Sequence, residues 1–194
     1  VIETLKKAVE LGARVINYCE PMDFSKKDGK ISSSRISDLI FKKEFSVKGS
    51  FFVNATGPWS GKFLEQFDTP MPKMLYPTKG VHLVVLKERF PINEAFYFDT
   101  HDQRMIFTIP RQQHVYIGTT DTPYSGQLRN PRVDTADMEY LLFAVNQKFK
   151  DIHLSASDVV SCWAGVRPLI RHRGNKPGEI SRKEELFISP SGLV

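Results

Sequence analysis

Four strand-like stretches follow one another between residues 80 and 120: GVHLVVL, AFYFDT, RMIFTIP and HVYIGTT. Each is rich in β-branched and aromatic residues, and the spacers between them are too short to hold crossover helices. Parallel strands need a dozen or more connecting residues, so this run predicts an antiparallel meander. The stretch VDTADMEYLLFAVNQKF follows, with apolar residues at helical spacing. Asp134 is the expected N-cap, and Met138, Leu141, Leu142, Val145 and Phe149 form the expected buried face. SDVVSCWAGVRPLI and EELFISP read as closing strands. The chain is therefore expected to be α+β, with a mainly antiparallel sheet flanked by helices.

The first 70 residues have a different texture. VIETLKKAVEL places Ile2, Leu5, Ala8 and Val9 on one face of a helix that Gly12 can terminate, and ARVINY follows as a strand. Residues 20–47 read as strands, with Asp28-Gly29 as a hairpin turn. SFFVNATG is an apolar run expected to be a buried strand, and PWSGKFLEQF can open a helix, with Pro58 in its first turn. The proline-rich DTPMPKMLYP marks an expected crossing between two domains, 1–70 and 71–194. No internal repeat or low-complexity segment interrupts this order. The chain begins on Val1 within an amphipathic pattern and stops at LFISPSGLV, so both edges read as cut from a longer protein.

With 194 residues, 41% of them hydrophobic and 25% charged, there is material for one large core or two small ones. Lys and Arg total 27 against 22 acids, a net charge of +5, with a pI of about 9.2. The surplus fits solvated lysines, an anionic ligand, a nucleic acid or an anionic membrane. The basic residues are interleaved with acids and gather in no single arm, which argues against a nucleic-acid groove. Cys19 and Cys162 stand far apart, in neither a disulfide framework nor a zinc spacing, and fit a reducing cytoplasm. No apolar run reaches membrane-span length, and no signal peptide is present.

Several residues carry candidate chemistry. Arg167, in GVRPL, lies between an apolar strand and a proline. A charge there needs a partner. Two readings stand open: a bidentate grip on a carboxylate or phosphate, or a salt bridge to an acid across the sheet. Thr119, Thr120 and Asp121 end a strand and either line a polar pocket or cap a turn. Lys79, Gly80 and His82 head another strand, where a lone histidine is either structural or catalytic. Ala55, Thr56 and Gly57 make a small turn after a strand; such a turn suits close approach of a nucleotide cofactor and equally suits plain chain reversal. GxGxxG and P-loop patterns are both missing, and no metal-ligand constellation can be assembled.

Taken in order, VNATGPW, KGVHLVV, FTIPRQQHVYIGTTD, YLLFAVNQKF and GVRPL resemble the FAD-dependent glycerol-3-phosphate dehydrogenases, over residues 1 to about 189. The resemblance implies a partial FAD-binding domain at 1–70 and a substrate-binding domain at 71–194. It implies oxidation of sn-glycerol 3-phosphate to dihydroxyacetone phosphate by hydride transfer to the flavin, with electrons passed to a respiratory quinone. It implies that Arg167 clamps the substrate phosphate and that Ala55, Thr56 and Gly57 lie against FAD. Lys79, Gly80, Thr119, Thr120 and Asp121 become pocket-lining candidates, and His82 a candidate for the proton-accepting catalytic residue. The family's glycine-rich fingerprint would precede Val1 and a glycine-lysine segment would follow Val194. The chain alone is therefore expected to be inactive and not to retain FAD. The expected location is cytoplasmic, peripheral on the inner face of the cytoplasmic membrane. A glycerol-3-phosphate oxidase using oxygen is the alternative within the enzyme class. The alternative outside it is a basic RNA- or lipid-binding module presenting Tyr97, Phe107 and Tyr116.

Overall fold

In the computed structural model, residues 1–67, 74–119, 121–171 and 186–194 are described. They divide into two compact units: residues 1–56, 62–67 and 186–194 in the first, and 57–61, 74–119 and 121–171 in the second. The division differs from a cut at residue 70 because the chain's end returns to the first unit. Phe52 and Leu193 form a parallel bridge, flanked by hydrogen bonds from Asn54 N to Val194 O (2.7 Å) and from Val194 N to Phe52 O (3.1 Å).

The first unit contains α1 (Ile2–Glu10) and a three-stranded antiparallel sheet of β1 (Cys19–Lys27), β2 (Lys30–Asp38) and β3 (Lys43–Lys48). The β1–β2 turn is the expected Asp28-Gly29, with φ of 51° and 75°, the left-handed pair that a tight hairpin requires. The helix α2 (Ser60–Phe67) starts after a single 3-10 turn at Gly57–Trp59 that holds Pro58. Its Leu64 joins Ile31 and Leu193 in a small core walled by Phe24, Phe52, Phe63 and Phe187. Three expectations fail here. No residue of α1 is buried, and Ile2, Leu5 and Val9 of its apolar face are exposed while Ala8 is partly buried. Residues 13–17 form no strand, because no partner ladder among the described residues takes up their backbone groups. In SFFVNATG only the isolated Phe52 bridge forms, and Phe51 and Val53 are exposed rather than buried.

The second unit carries the predicted meander. Its sheet runs β5 (Phe96–Asp99), β6 (Met105–Arg111), β7 (His114–Gly118), β4 (Met74–Leu86) and β8 (Thr122–Pro123), with β9 (Val159–Arg171) also paired to β4. All these pairings are antiparallel. Strand alternation sends Val81, Leu83 and Val85 of β4 to one face, with Ile106, Val115 and Ile117 from neighbouring strands. The helix α3 (Thr135–Lys148) covers that face with Leu141, Leu142, Ala144 and Val145, while Met138 and Phe149 pack at its margin. Asp134 is the N-cap as expected, in a capping box with Asp137. Residues 186–189 are not a strand, contrary to the expectation for EELFISP, and pack instead through Phe187 in the first unit. Residues 68–73 of the proline-rich crossing, and RHRGNKPG beyond Arg171, lie outside the described residues.

Candidate active site on the open face of the second sheet

The face of β4 opposite α3 carries Thr78, Gly80 and His82, and the ladder decides what stands beside them. Thr78 is opposite Arg167 on β9, Gly80 opposite Gly165, and His82 opposite Trp163; on its other edge, His82 faces Gly118 of β7. Residues spread over more than 80 positions of sequence thus converge on one patch. Arg167 is less buried than an apolar strand suggests, its side chain remaining 36% exposed. Its Nη1 donates to Asp121 Oδ1 at 2.7 Å, and Nη2 reaches Thr119 Oγ1 at 3.3 Å. Thr78 Oγ1 donates to the same carboxylate oxygen at 3.3 Å. The salt-bridge reading of Arg167 therefore describes a real contact. The pair is open to solvent, and a guanidinium has five donors, so the anion-grip reading is compatible with it.

His82 lies flat on Trp163, with ring centroids 4.8 Å apart and planes 9° from parallel, and the Phe107 ring centroid lies 5.6 Å from that of His82. Burial pushes its pKa below the ordinary histidine value, and the Arg167 cation lowers it further. The imidazole is thus held neutral near pH 7. Its Nδ1 is buried with no hydrogen-bond partner among the described residues.

Lys79 goes elsewhere. The period of two turns it to the α3 face, where its ammonium pairs with Asp134 at 2.7 Å and with Asp137. Burial works against that charge, but the hydrogen bonds that Lys79 donates to the two carboxylates, with their negative charge, outweigh it and hold Lys79 above its ordinary value. Lys79 lines a separate cavity of about 430 Å³ with Arg104, Tyr124, Asp134 and Tyr140. Thr119 and Asp121 join the Arg167 patch, whereas Thr120 lies outside the described residues.

Ala55, Thr56 and Gly57 form a turn held by Asn54, whose Oδ1 accepts from Thr56 N (3.2 Å) and Thr56 Oγ1 (2.6 Å). Ala55 and Thr56 are exposed, and Gly57 has φ +59° with nothing within 4 Å of where a Cβ would stand. A bare, rigid main chain of this kind fits a flat cofactor lying against it. Trp163, Thr78 and Gly118 were not singled out in the sequence, and strand parity relative to His82 and Arg167 is the signal that points to them. Of the aromatics considered for a nucleic-acid surface, Phe107 and Tyr116 pack against His82 and Trp163, and only Tyr97 is strongly exposed.

The second unit thus presents an antiparallel sheet backed by a helix, with an arginine and a histidine on its open face. The family described as FAD dependent oxidoreductase matches residues 1–189, and the chain belongs to it. Among curated proteins it is 44% identical, over its whole length, to the aerobic glycerol-3-phosphate dehydrogenase of Bacillus subtilis (strain 168), and 40% identical to that of Staphylococcus saprophyticus. The chain spans 35% of the length of each of these relatives. The X-ray structure of the glycerol-3-phosphate dehydrogenase from Bacillus halodurans complexed with FAD superimposes with a TM-score of 0.87 at 40% identity. That match covers 99% of this chain and 37% of the other. L-proline dehydrogenase from P. horikoshii shares the fold, at TM-score 0.61 and 16% identity over 83% of this chain and 40% of its own. The resemblance read from the five sequence motifs is thereby borne out.

Proposed function

We propose that this chain is part of an enzyme that oxidises sn-glycerol 3-phosphate to dihydroxyacetone phosphate at FAD and passes the electrons to a membrane quinone. The observation that carries this reading is the partly exposed Arg167 guanidinium, fixed on the sheet face opposite Thr78, four residues along β4 from the neutral His82. It is supported by relatives of that name matching the whole chain at 40% identity or more. In this reading residues 1–70 contribute to the FAD-binding domain and residues 71–194 to the substrate-binding domain.

Ala55, Thr56 and Gly57 would hold the cofactor along their main chain. When bound, FAD supplies the two-electron acceptor for the hydride leaving C2. Arg167 binds the substrate phosphate by charge-assisted hydrogen bonds, and Thr119 and Asp121 fix the guanidinium. His82 accepts the C2 hydroxyl proton at Nε2, for which its lowered pKa keeps the imidazole unprotonated. No helix among the described residues is long and apolar enough to cross a membrane, and the quinone is reached in this proposal by peripheral association with the inner face of the cytoplasmic membrane.

The test is Arg167→Ala in the full-length flavoenzyme. KM for glycerol 3-phosphate should rise sharply with flavin content intact, a loss of about 2–5 kcal/mol. Unchanged kinetics would return Arg167 to a structural salt bridge. Reduction of a quinone analogue, measured beside hydrogen peroxide release, separates the dehydrogenase from an oxidase.

A further inference from the structure

The open face of the sheet has two places where a side chain is missing from the strand, and each lies beneath one of the two functional groups. A Cβ built on Gly80 would stand 2.8 Å from Arg167 Cζ and 3.0 Å from Nη2. A Cβ on Gly118 would stand 2.9 Å from His82 Nε2 and 3.1 Å from Cγ. Real Cβ atoms do not approach heavy atoms this closely in packed proteins, so an alanine at either position forces the overlying group to move. Neither glycine is needed for backbone reasons of φ. Among the described residues the left-handed glycines are Gly12, Gly29, Gly57 and Gly192, and neither Gly80 nor Gly118 is one of them. Gly80 sits inside a regular ladder, opposite Gly165, where glycine ordinarily weakens a strand, and Gly118 is the last paired residue of β7, opposite His82.

We infer that Gly80 and Gly118 are positioning residues. Gly80 is the notch that seats the Arg167 guanidinium against the sheet, and Gly118 is the notch that seats the His82 imidazole. Asp121 closes the first seat from the opposite side, through the 2.7 Å contact to Nη1. Trp163 closes the second through its stacked ring. The two seats are separate: the Arg167 notch is on β4, and the His82 notch is on β7. The cost of filling one should therefore fall on substrate binding, and the cost of filling the other on the proton-transfer step. The inference rests on the roles assigned above to Arg167 and His82.

The experiment compares Gly80→Ala, Gly118→Ala and Arg167→Ala in the full-length flavin-loaded enzyme. Gly80→Ala should raise KM for glycerol 3-phosphate about tenfold or more, because small displacements of a binding group carry penalties of that order. Calorimetry with inorganic phosphate gives a readout independent of turnover, and binding should weaken in Gly80→Ala but not in Gly118→Ala. Gly118→Ala should lower kcat about tenfold with little change in KM, and shift the acidic limb of the kcat–pH profile as the imidazole leaves its buried seat. Flavin content and circular dichroism identify a variant that has merely unfolded; the variant at the other notch is then compared alone with the wild type, its own effect, on KM for Gly80→Ala or on kcat for Gly118→Ala, still being required. If Arg167→Ala leaves KM unchanged, the assigned role of the arginine is wrong. If Arg167→Ala raises KM while folded Gly80→Ala and Gly118→Ala show wild-type KM, kcat and phosphate binding, or move KM and kcat together, the notches are not positioning devices.

Discussion

The two faces of β4 are built from adjacent residues and do opposite things. Lys79, Val81, Leu83 and Val85 point to α3 and are buried almost completely; Thr78, Gly80 and His82 point to the face that carries Arg167 and Trp163. On the α3 face a charge is tolerated because two carboxylates meet it, and Val81, Leu83 and Val85 beside it join the apolar core. On the other face polar groups, stacked rings and bare glycines replace hydrocarbon. A single strand thus anchors the core with one parity and lays out the site with the other. The stiffness of the packed face is what allows the open face to hold side chains at defined positions.

The largest expected effect breaks the packed face at the buried Lys79 ion pairs. Lys79→Met leaves Asp137, which is 6% exposed, without its buried cation, and losses of about 3–5 kcal/mol attend such unpairing. Denaturant unfolding should show a markedly lower midpoint. The KM for glycerol 3-phosphate should hold, because Lys79 is turned away from Arg167. A raised KM with unchanged stability would place Lys79 in the substrate site and erase the contrast between the faces. Next comes Leu83→Ala, which empties a fully buried position and should cost about 2–5 kcal/mol, read in the same unfolding experiment. A loss well below that range would mean that the core under the site collapses easily and cannot be the rigid support described.

Much of this arrangement was legible in the residues. The alternation in GVHLVVL assigns Val81, Leu83 and Val85 to one side, Asp134 announces the start of α3, and Asp28-Gly29 announces a hairpin. Arg167, flagged as a charge in an apolar strand, does reach a carboxylate. What could not be read is register. Gly80 and Arg167 meet only because β4 and β9 pair with Thr78 opposite Arg167, and a slip of one residue would send the arginine to the core side. No local signal records that pairing across so long a separation. The same blindness explains Lys79, which shares a motif with His82 but not a face. The strands expected at 13–18 and 50–57 have the right composition. A strand is stabilised by a neighbour, however, and among the described residues only Leu193 supplies one, to Phe52.

The smallest expected effect sharpens the comparison at His82, the one titratable ring on the open face whose pKa the surroundings lower. Burial comes first among the causes and the Arg167 charge second, so the folded protein binds a proton to His82 less readily than the unfolded chain does. Where the unfolded state holds more protons, stability rises with pH. The contribution of His82 is therefore fully present above the ordinary histidine pKa of roughly 6.5 and is lost as the pH falls below it. Unfolding measured from neutral to mildly acidic pH should show this slope in the wild type. His82→Gln, which keeps a polar side chain but cannot titrate, should flatten that part of the curve. Arg167→Gln should flatten it only in part, because it removes the second cause and leaves the first. If Arg167→Gln abolished the slope entirely, the charge rather than the enclosure would be what keeps the imidazole neutral, and the Trp163 stack would be incidental to its chemistry.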